Sequence, residues 1–194
     1  MKLYYGPWAC SLAAHMVLHE VGEPFDSESV NLKTKVTATG GNFGDITPKA
    51  YVPALELEDG EIVTENIAVL DYLASRYPEY GLEGPMGRTR MLELLAYLST
   101  EIHKSFKPFW HNGTDEQKAV ASAYITARMR YLADTMRGDF LCGDQPRVAD
   151  YYALVMMLWA GRFGIEIPPA LAALGERLKA RPAVQATLKV EGIV

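Results

Sequence analysis

Residues 1–32 carry a strand pattern, a helix pattern and a second strand pattern in succession. The short aromatic segment Lys2–Tyr5 runs into a Gly-Pro turn, after which apolar residues recur at helical spacing from Leu12 to Val21. Phe25–Leu32 is the second strand pattern. Two strands joined through one helix form a βαβ unit, so the sequence predicts a parallel strand pair with a right-handed crossover.

The only cysteine in this unit, Cys10, follows the turn and is predicted to lie in the first turn of the helix. Free N–H groups and the positive end of the helix dipole favour an anion there, so we expect a lowered pKa and more thiolate. The residue three positions later is Ala13, which rules out a C-x-x-C pair and argues against a dithiol cycle. A single working thiol, a bound thiol ligand and an inert buried cysteine all remain open.

A hairpin pattern follows. Ala54–Glu58 and Glu61–Val63 are predicted strands, and Asp59-Gly60 between them is typical of a two-residue turn in which both positions have positive φ. Pro53 opens the first of these strands, where its missing N–H is tolerated. A cis bond before Pro53 would turn the Val52 backbone outward, free to pair with another molecule.

Polar residues next to these strands suggest a ligand that carries both negatively and positively charged groups. Thr64 is predicted to cap a helix from Glu65 to about Tyr77, with Glu65 and Asn66 in its first turn. The N–H groups of such a turn suit a carboxylate, and Glu65 suits an ammonium group. Lys35 lies just past the end of the second strand, where α/β sheets tend to bind ligands.

The pattern changes to purely helical in the second half. Residues 78–87 are rich in proline and glycine and are predicted to be a linker between a module at 1–77 and one at 88–194. The predicted fold is therefore α/β + all-α, with βαβ-ββα followed by helices. The predicted helices of the second module are Arg88 to about Phe109, Asp115–Arg137, Val148 to about Trp159, Ala170–Lys179 and Ala183–Val190.

Composition excludes several classes of function. The net charge of −5 argues against nucleic acid and anionic membrane surfaces as partners. No apolar run approaches the roughly 20 residues that span a bilayer, and no leader pattern is present. Cys10 and Cys142 are too few for a disulfide scaffold, so a cytoplasmic location is expected. The four histidines show no metal-ligand spacing, so no metal is expected.

The order of these motifs resembles the glutathione S-transferases, most closely the bacterial beta class, over essentially the whole chain. The resemblance implies a thioredoxin-like N-terminal domain and an all-helical C-terminal domain. The motifs that carry it are MKLYY-x-P-x-x-C-S-L at the start, NLKTK at 31–35, VPAL at 52–55, TENIA at 64–68, EIHK at 101–104, Gly143-Asp144 and Val148-Ala149-Asp150.

The resemblance also implies roles for individual residues. Cys10 and His103 would be catalytic, facing each other across the cleft, with His15 supporting the thiol site. Residues implied to bind glutathione are Ser11, Lys35, Val52, Glu65, Asn66 and Lys104. Within this set, the Val52 backbone would pair with the cysteinyl part, Glu65 and Asn66 would hold the γ-glutamyl end, and Lys35 would reach the glycyl carboxylate. Trp8, Phe106 and Trp110 would contact a hydrophobic substrate.

The implied activity is the conjugation of reduced glutathione, as co-substrate, to hydrophobic electrophiles in detoxification. Side activity on disulfides or peroxides through Cys10, and a homodimeric assembly, are also implied. The alternatives are a non-catalytic protein of the same fold that sequesters apolar ligands, and a structural module that keeps only the fold. The shape of the cleft, and no short motif, decides which electrophile such a protein takes.

Two positions depart from the family pattern. Arg147 replaces the Ser or Thr that usually caps the helix carrying Asp150, a loss typically worth about 1 kcal/mol. Asn66 replaces a smaller residue; its amide can still bind a carboxylate but fills more of the site.

Overall fold

The computed structural model describes residues 1–194 and places the strands together in one four-stranded sheet. The spatial order is β2-β1-β3-β4, with β1 parallel to β2 and antiparallel to β3, so the predicted βαβ unit is confirmed. The strands are β1 (Lys2–Tyr5), β2 (Asp26–Ser29), β3 (Ala54–Glu56) and β4 (Ile62–Thr64).

Helices flank the sheet and account for most of the remaining secondary structure. The 3₁₀ turn Pro78–Tyr80 lies in the predicted linker, and only helices follow it. The helices are α1 (Leu12–Val21), α2 (Phe43–Ile46), α3 (Asn66–Arg76), α4 (Gly87–Tyr97), α5 (Lys107–Trp110), α6 (Asp115–Asp134), α7 (Val148–Phe163), α8 (Pro169–Lys179) and α9 (Pro182–Val190).

One long predicted helix, Arg88 to Phe109, is divided into several turns. Regular α-helix ends at Tyr97, and the chain continues as a π-helical turn, Leu98–Ile102, and a 3₁₀ turn, His103–Phe106, before α5. Pro108 is one cause, because it has no N–H to donate to a carbonyl one turn earlier. The irregular turns set the direction of His103 at the start of the 3₁₀ segment.

Two local predictions near the hairpin are wrong. The loop between β3 and β4 has positive φ only at Gly60 (86°), and the Leu57 N–H donates to the Glu61 carbonyl at 2.8 Å, so the loop is longer than a two-residue turn. Thr64 does not cap α3: it ends β4, and its hydroxyl accepts a hydrogen bond from Lys49 Nζ at 3.0 Å. Glu65, with φ of 71°, occupies the N-cap position instead.

The hydrophobic core runs without interruption from the sheet into the helical region. Helix α1 is buried from Leu12 to Leu18, and α7 is buried along most of its length. The two helices pack against each other, so the segment that follows Cys10 is held between the sheet and the centre of the helical region. None of the helices is long and apolar enough to cross a membrane.

Candidate active site

The Cys10 thiol lies beside the chain segment that leads into β3. Cys10 occupies the turn before α1, and its carbonyl accepts from the Ala13 N–H at 3.1 Å. Its Sγ donates to the Val52 carbonyl at 3.8 Å, and the Val52–Pro53 bond is cis. The Val52 N–H donates to no backbone group, so the thiol lies beside a backbone edge whose N–H is free to pair.

The pKa of Cys10 differs from the sequence expectation. Burial of the sulfur raises the pKa of the Cys10 thiol to about 12, although the residue as a whole is partly exposed. The N–H groups of Cys10 and Ser11 act in the expected direction and favour thiolate, but their effect is smaller than the cost of desolvation. In the ligand-free protein Cys10 is therefore a neutral thiol, and the prediction of a lowered pKa is wrong.

His103 is held by a phenol from the central helix. Its Nδ1 lies 2.6 Å from the Tyr152 hydroxyl on α7, and its ring meets the Trp159 ring edge-on at 4.9 Å. Burial lowers the pKa of His103 to about 4, with the Lys104 charge acting in the same direction, so the imidazole is neutral at pH 7. Burial raises the pKa of Tyr152, so its hydroxyl keeps its proton; the Cys10 thiol and Asn66 lie close enough to influence it.

Aromatic rings form a continuous wall beside His103. Trp159 Nε1 donates to the Trp8 carbonyl at 2.9 Å, which fastens the turn before Cys10 to α7. Trp110 packs against Trp159 at 5.4 Å and is 37% exposed, so it can contact a ligand. Phe106 is fully buried and packs on Trp159 at 5.4 Å. The prediction that Phe106 contacts the substrate is therefore wrong, and its ring instead packs against Trp159 from the protein interior.

Glu65 is presented to solvent at the start of α3. Its carboxylate accepts from Lys49 Nζ at 2.7 Å and from the Tyr51 hydroxyl at 2.8 Å. These hydrogen bonds lower its pKa, and the Lys104 charge from the helical region contributes further. Glu65 thus senses the charge of Lys104, which belongs to the other half of the chain.

Asn66 is buried at the first position of α3 with both side-chain amide atoms unpaired. An unpaired buried amide is costly, so this group is suited to a ligand that supplies the missing partners.

Two predicted lysines lie on the surface. Lys35, with φ of 60°, is partly exposed and forms no ion pair, unlike Lys49. Lys104 is exposed and lines a groove of about 710 Å³ whose lining includes neither Cys10 nor His103.

Two predicted site residues near Cys10 are buried in the protein interior and are not accessible to a ligand. Ser11 is fully buried; its Oγ accepts from the Gly6 N–H at 3.1 Å and donates to the Gly6 carbonyl at 3.4 Å. The prediction that the Ser11 side chain binds glutathione is therefore wrong, and its hydroxyl stabilises the turn before α1.

His15 is also fully buried, and its Nδ1 lies 2.8 Å from Glu191 Oε1 at the end of α9. No group of three or more metal-ligating side chains comes together.

Sequence reasoning missed the partners of the predicted residues. Tyr152 and Trp159 lie in an apolar run that was assigned to the core, and Lys49 and Tyr51 lie in the loop before Pro53. A hydroxyl within a buried helix that needs a partner was the one available signal for Tyr152. Nothing in the local pattern indicated that Lys49 and Tyr51 would reach Glu65.

Comparisons with known proteins show which sequences and folds this chain is similar to. Residues 9–76 match the family model described as glutathione S-transferase, N-terminal domain. Over the full length of both chains, the sequence is 36% identical to glutathione S-transferase GstA of Escherichia coli O157:H7.

Solved structures extend the likeness to the whole fold. A sphingomonad glutathione S-transferase complexed with glutathione is 39% identical, with a TM-score of 0.92 and complete coverage of both chains. The bacterial beta class glutathione S-transferase of Sphingomonas chungbukensis is 38% identical, with a TM-score of 0.91 and the same coverage. Both structures combine a similar sheet and helical region over the full chain.

Proposed function

This chain belongs to the glutathione S-transferase family, and we propose that it conjugates glutathione to hydrophobic electrophiles in the cleft formed by Cys10, His103 and the aromatic wall. The observation that carries the proposal is the Cys10 thiol beside the unused backbone edge of Val52. Glutathione is a thiol-bearing peptide, and an extended peptide can pair with such an edge as an added strand. No observation favours a non-catalytic ligand carrier over the enzyme.

The ends of glutathione match charges around this edge. The γ-glutamyl carboxylate would accept from the unpaired Asn66 amide and from N–H groups at the start of α3. Its ammonium group would bind Glu65, which Lys49 and Tyr51 hold in its ionised form. Lys35 would bind the glycyl carboxylate, since its ammonium group has no partner within the protein, and Lys104 would add positive charge from the helical side.

Cys10 and His103 would act on the glutathione sulfur as hydrogen-bond donors. Because the Cys10 thiol stays protonated, it can donate to a thiolate. If the Tyr152 hydroxyl donates to Nδ1 of the neutral His103 ring, the ring proton lies on Nε2, which can donate to the same sulfur. The glutathione thiol would release its proton to solvent, the thiolate would attack the electrophilic carbon, and the leaving group would depart with its bonding electrons. A high Cys10 pKa makes any disulfide or peroxide side activity slow.

The test is calorimetric titration of the reduced protein with glutathione, using the wild type, Cys10→Ala and Cys142→Ala. Cys142 is the matched control, because it is the other free cysteine and lines a separate groove beside Leu82 and Tyr97. We expect one site per chain in the wild type and in both variants, with the ultraviolet thiolate signal of bound glutathione appearing at higher pH in Cys10→Ala alone. Folded wild-type protein that neither binds glutathione nor conjugates an aryl halide would refute the proposal.

The proposed assembly is a homodimer through α6. Val120, Tyr124 and Tyr131 on this helix expose 67%, 38% and 56% of their surfaces, which is unusual for large apolar side chains on one helix. Light scattering should give about twice the chain mass of 21.5 kDa, and a monomer mass would contradict the proposal. We also propose that the protein acts in the reducing cytoplasm, where free cysteines such as its own two are kept reduced. Conjugation of electrophiles there would serve detoxification.

A further inference from the structure

Arg162, on the last turn of α7, lies against two tryptophan rings without a carboxylate partner. Its guanidinium carbon is 4.5 Å from the centroid of the Trp8 ring and 5.7 Å from that of Trp110. Other arginines, such as Arg88 and Arg181, pair with carboxylates through two nitrogens. Arg162 forms no such pair, and the residue is exposed.

Both tryptophans adjoin the aromatic wall of the proposed substrate cleft, Trp110 through its ring and Trp8 through its main chain. The Trp8 carbonyl accepts from Trp159 Nε1, and Trp110 packs on Trp159. Trp159 in turn contacts His103. Arg162 therefore places a positive charge that has no carboxylate partner against two tryptophan rings.

We infer that the preferred electrophiles carry an anionic group, a carboxylate or sulfonate, on a flat apolar body, and that Arg162 binds this group. The inference deepens the proposed function and rests on it for the catalytic part. Contact with an aromatic face orients a guanidinium by cation–π attraction and leaves N–H groups at its edge for a ligand. A planar carboxylate matches those N–H groups with two parallel hydrogen bonds, while the tryptophans contact the apolar body.

The competing role for Arg162 is structural, since the methylene stem of an arginine can simply cover an aromatic ring. The two roles predict different results for paired substrates. Loss of a structural cover would change the rates for charged and uncharged electrophiles alike, because Trp8 would shift for both. Loss of an anion-binding group would act on the charged electrophile alone.

The experiment measures kcat/KM with glutathione for two chloronitroarenes of the same shape, one with a ring carboxylate and one with a carboxamide. The ratio of the two values is compared among the wild type, Arg162→Gln, Arg162→Lys and Arg130→Gln. Arg130 is the matched control, because it is an exposed arginine on α6 with no carboxylate partner. We expect Arg162→Gln to lower the carboxylate-to-carboxamide ratio by about three- to tenfold, the range for an accessible charged hydrogen bond. Arg162→Lys should retain part of the preference, and Arg130→Gln all of it.

If Arg162→Gln leaves the carboxylate-to-carboxamide ratio of kcat/KM unchanged, including the case in which both values fall equally, the inference is overturned. A binding measurement separates this result from failure of the proposed function. Naphthoate and naphthamide, neither of which reacts, are titrated against tryptophan fluorescence in the same variants. Weaker naphthoate binding in Arg162→Gln, with naphthamide unaffected, supports the anion site even if no conjugation occurs. Equal affinities of the wild type and Arg162→Gln for naphthoate refute it.

Discussion

At the scale of single residues, the chemistry of this site depends on what holds His103. An imidazole can place its proton on either ring nitrogen, and only one of the two arrangements leaves a donor for the glutathione sulfur. Tyr152 is the group that can select it, because its buried hydroxyl lies 2.6 Å from Nδ1 and keeps its proton. We regard Tyr152 as a positioning residue, since it acts through His103.

Replacing Tyr152 by phenylalanine should lower kcat/KM for conjugation by about five- to tenfold, because the hydrogen bond of roughly 1 kcal/mol that fixes the ring is lost. The reduction should fall mainly on kcat, since no glutathione contact is removed. Tyr151→Phe is the control: Tyr151 is equally buried on the same helix, and its hydroxyl has no partner. Steady-state kinetics of both variants check the prediction, and an equal loss in the two would show that packing, not the hydrogen bond, is responsible.

At the scale of elements, the start of α7 shows how the helix does without the hydroxyl cap. An arginine side chain has no acceptor, so Arg147 cannot cap N–H groups; its guanidinium instead donates to the Glu79 carbonyl. Asp150 provides the capping interaction from inside the helix. Its two carboxylate oxygens accept from the N–H groups of Leu141 and Arg147, each at 2.8 Å.

Asp150→Ala should lower the free energy of unfolding by about 2–4 kcal/mol, because two buried N–H donors lose their acceptor. Urea denaturation followed by circular dichroism measures the change. Asp144→Ala, which alters an exposed carboxylate near the same loop, should stay within about 0.5 kcal/mol of the wild type. Similar stability of the two variants would mean that the N–H groups find other acceptors and that the Asp150 bonds contribute little.

At the scale of the whole molecule, the end of the chain is fastened to the segment that carries Cys10. Glu191 follows α9 and meets His15 of α1 in a fully buried contact. Burial raises the pKa of Glu191 to about 8 and lowers the pKa of His15 to about 4. Both groups are therefore neutral in the native protein near pH 6.

This contact makes stability depend on pH with a defined sign. Between pH 4.5 and 8 native Glu191 holds a proton that the unfolded chain releases, so its contribution to stability falls as pH rises. Between pH 4 and 6.5 unfolded His15 holds a proton that the native state lacks, so its contribution rises with pH. The two trends oppose each other up to about pH 6.5, above which only the loss from Glu191 remains.

We expect the free energy of unfolding of the wild type to fall between pH 6.5 and pH 8, and Glu191→Gln to lose most of this dependence because glutamine cannot ionise. Urea titrations at the two pH values provide the measurement. Glu166→Gln, at an exposed carboxylate, should keep the wild-type slope. If Glu191→Gln keeps the same slope as the wild type, Glu191 is already ionised at neutral pH and the buried contact is an ion pair.

The sequence by itself determined the order of the elements, the parallel β1–β2 pair and the position of Cys10 before α1. These features follow from hydrophobic periodicity and turn residues, which act over a few neighbouring positions. The resemblance also indicated Cys10, Glu65, Asn66 and His103, and their roles in one site remain a prediction that the glutathione titration and the kinetics of the variants test. The Thr64 cap and the two-residue hairpin turn were wrong, because a polar residue beside a helix can pair elsewhere.

Only the tertiary structure decided the electrostatic properties of the site and the partners of its residues. The helix start favours a Cys10 thiolate, but the surroundings that desolvate the sulfur come from distant parts of the chain. Tyr152 lies 49 residues from His103, and Glu191 lies 176 residues from His15. Hydrophobic periodicity in a sequence indicates which face of a helix is buried, but it does not indicate which segment packs against that face. Pairings between distant segments, and the pKa values they set, arise only when the core is packed.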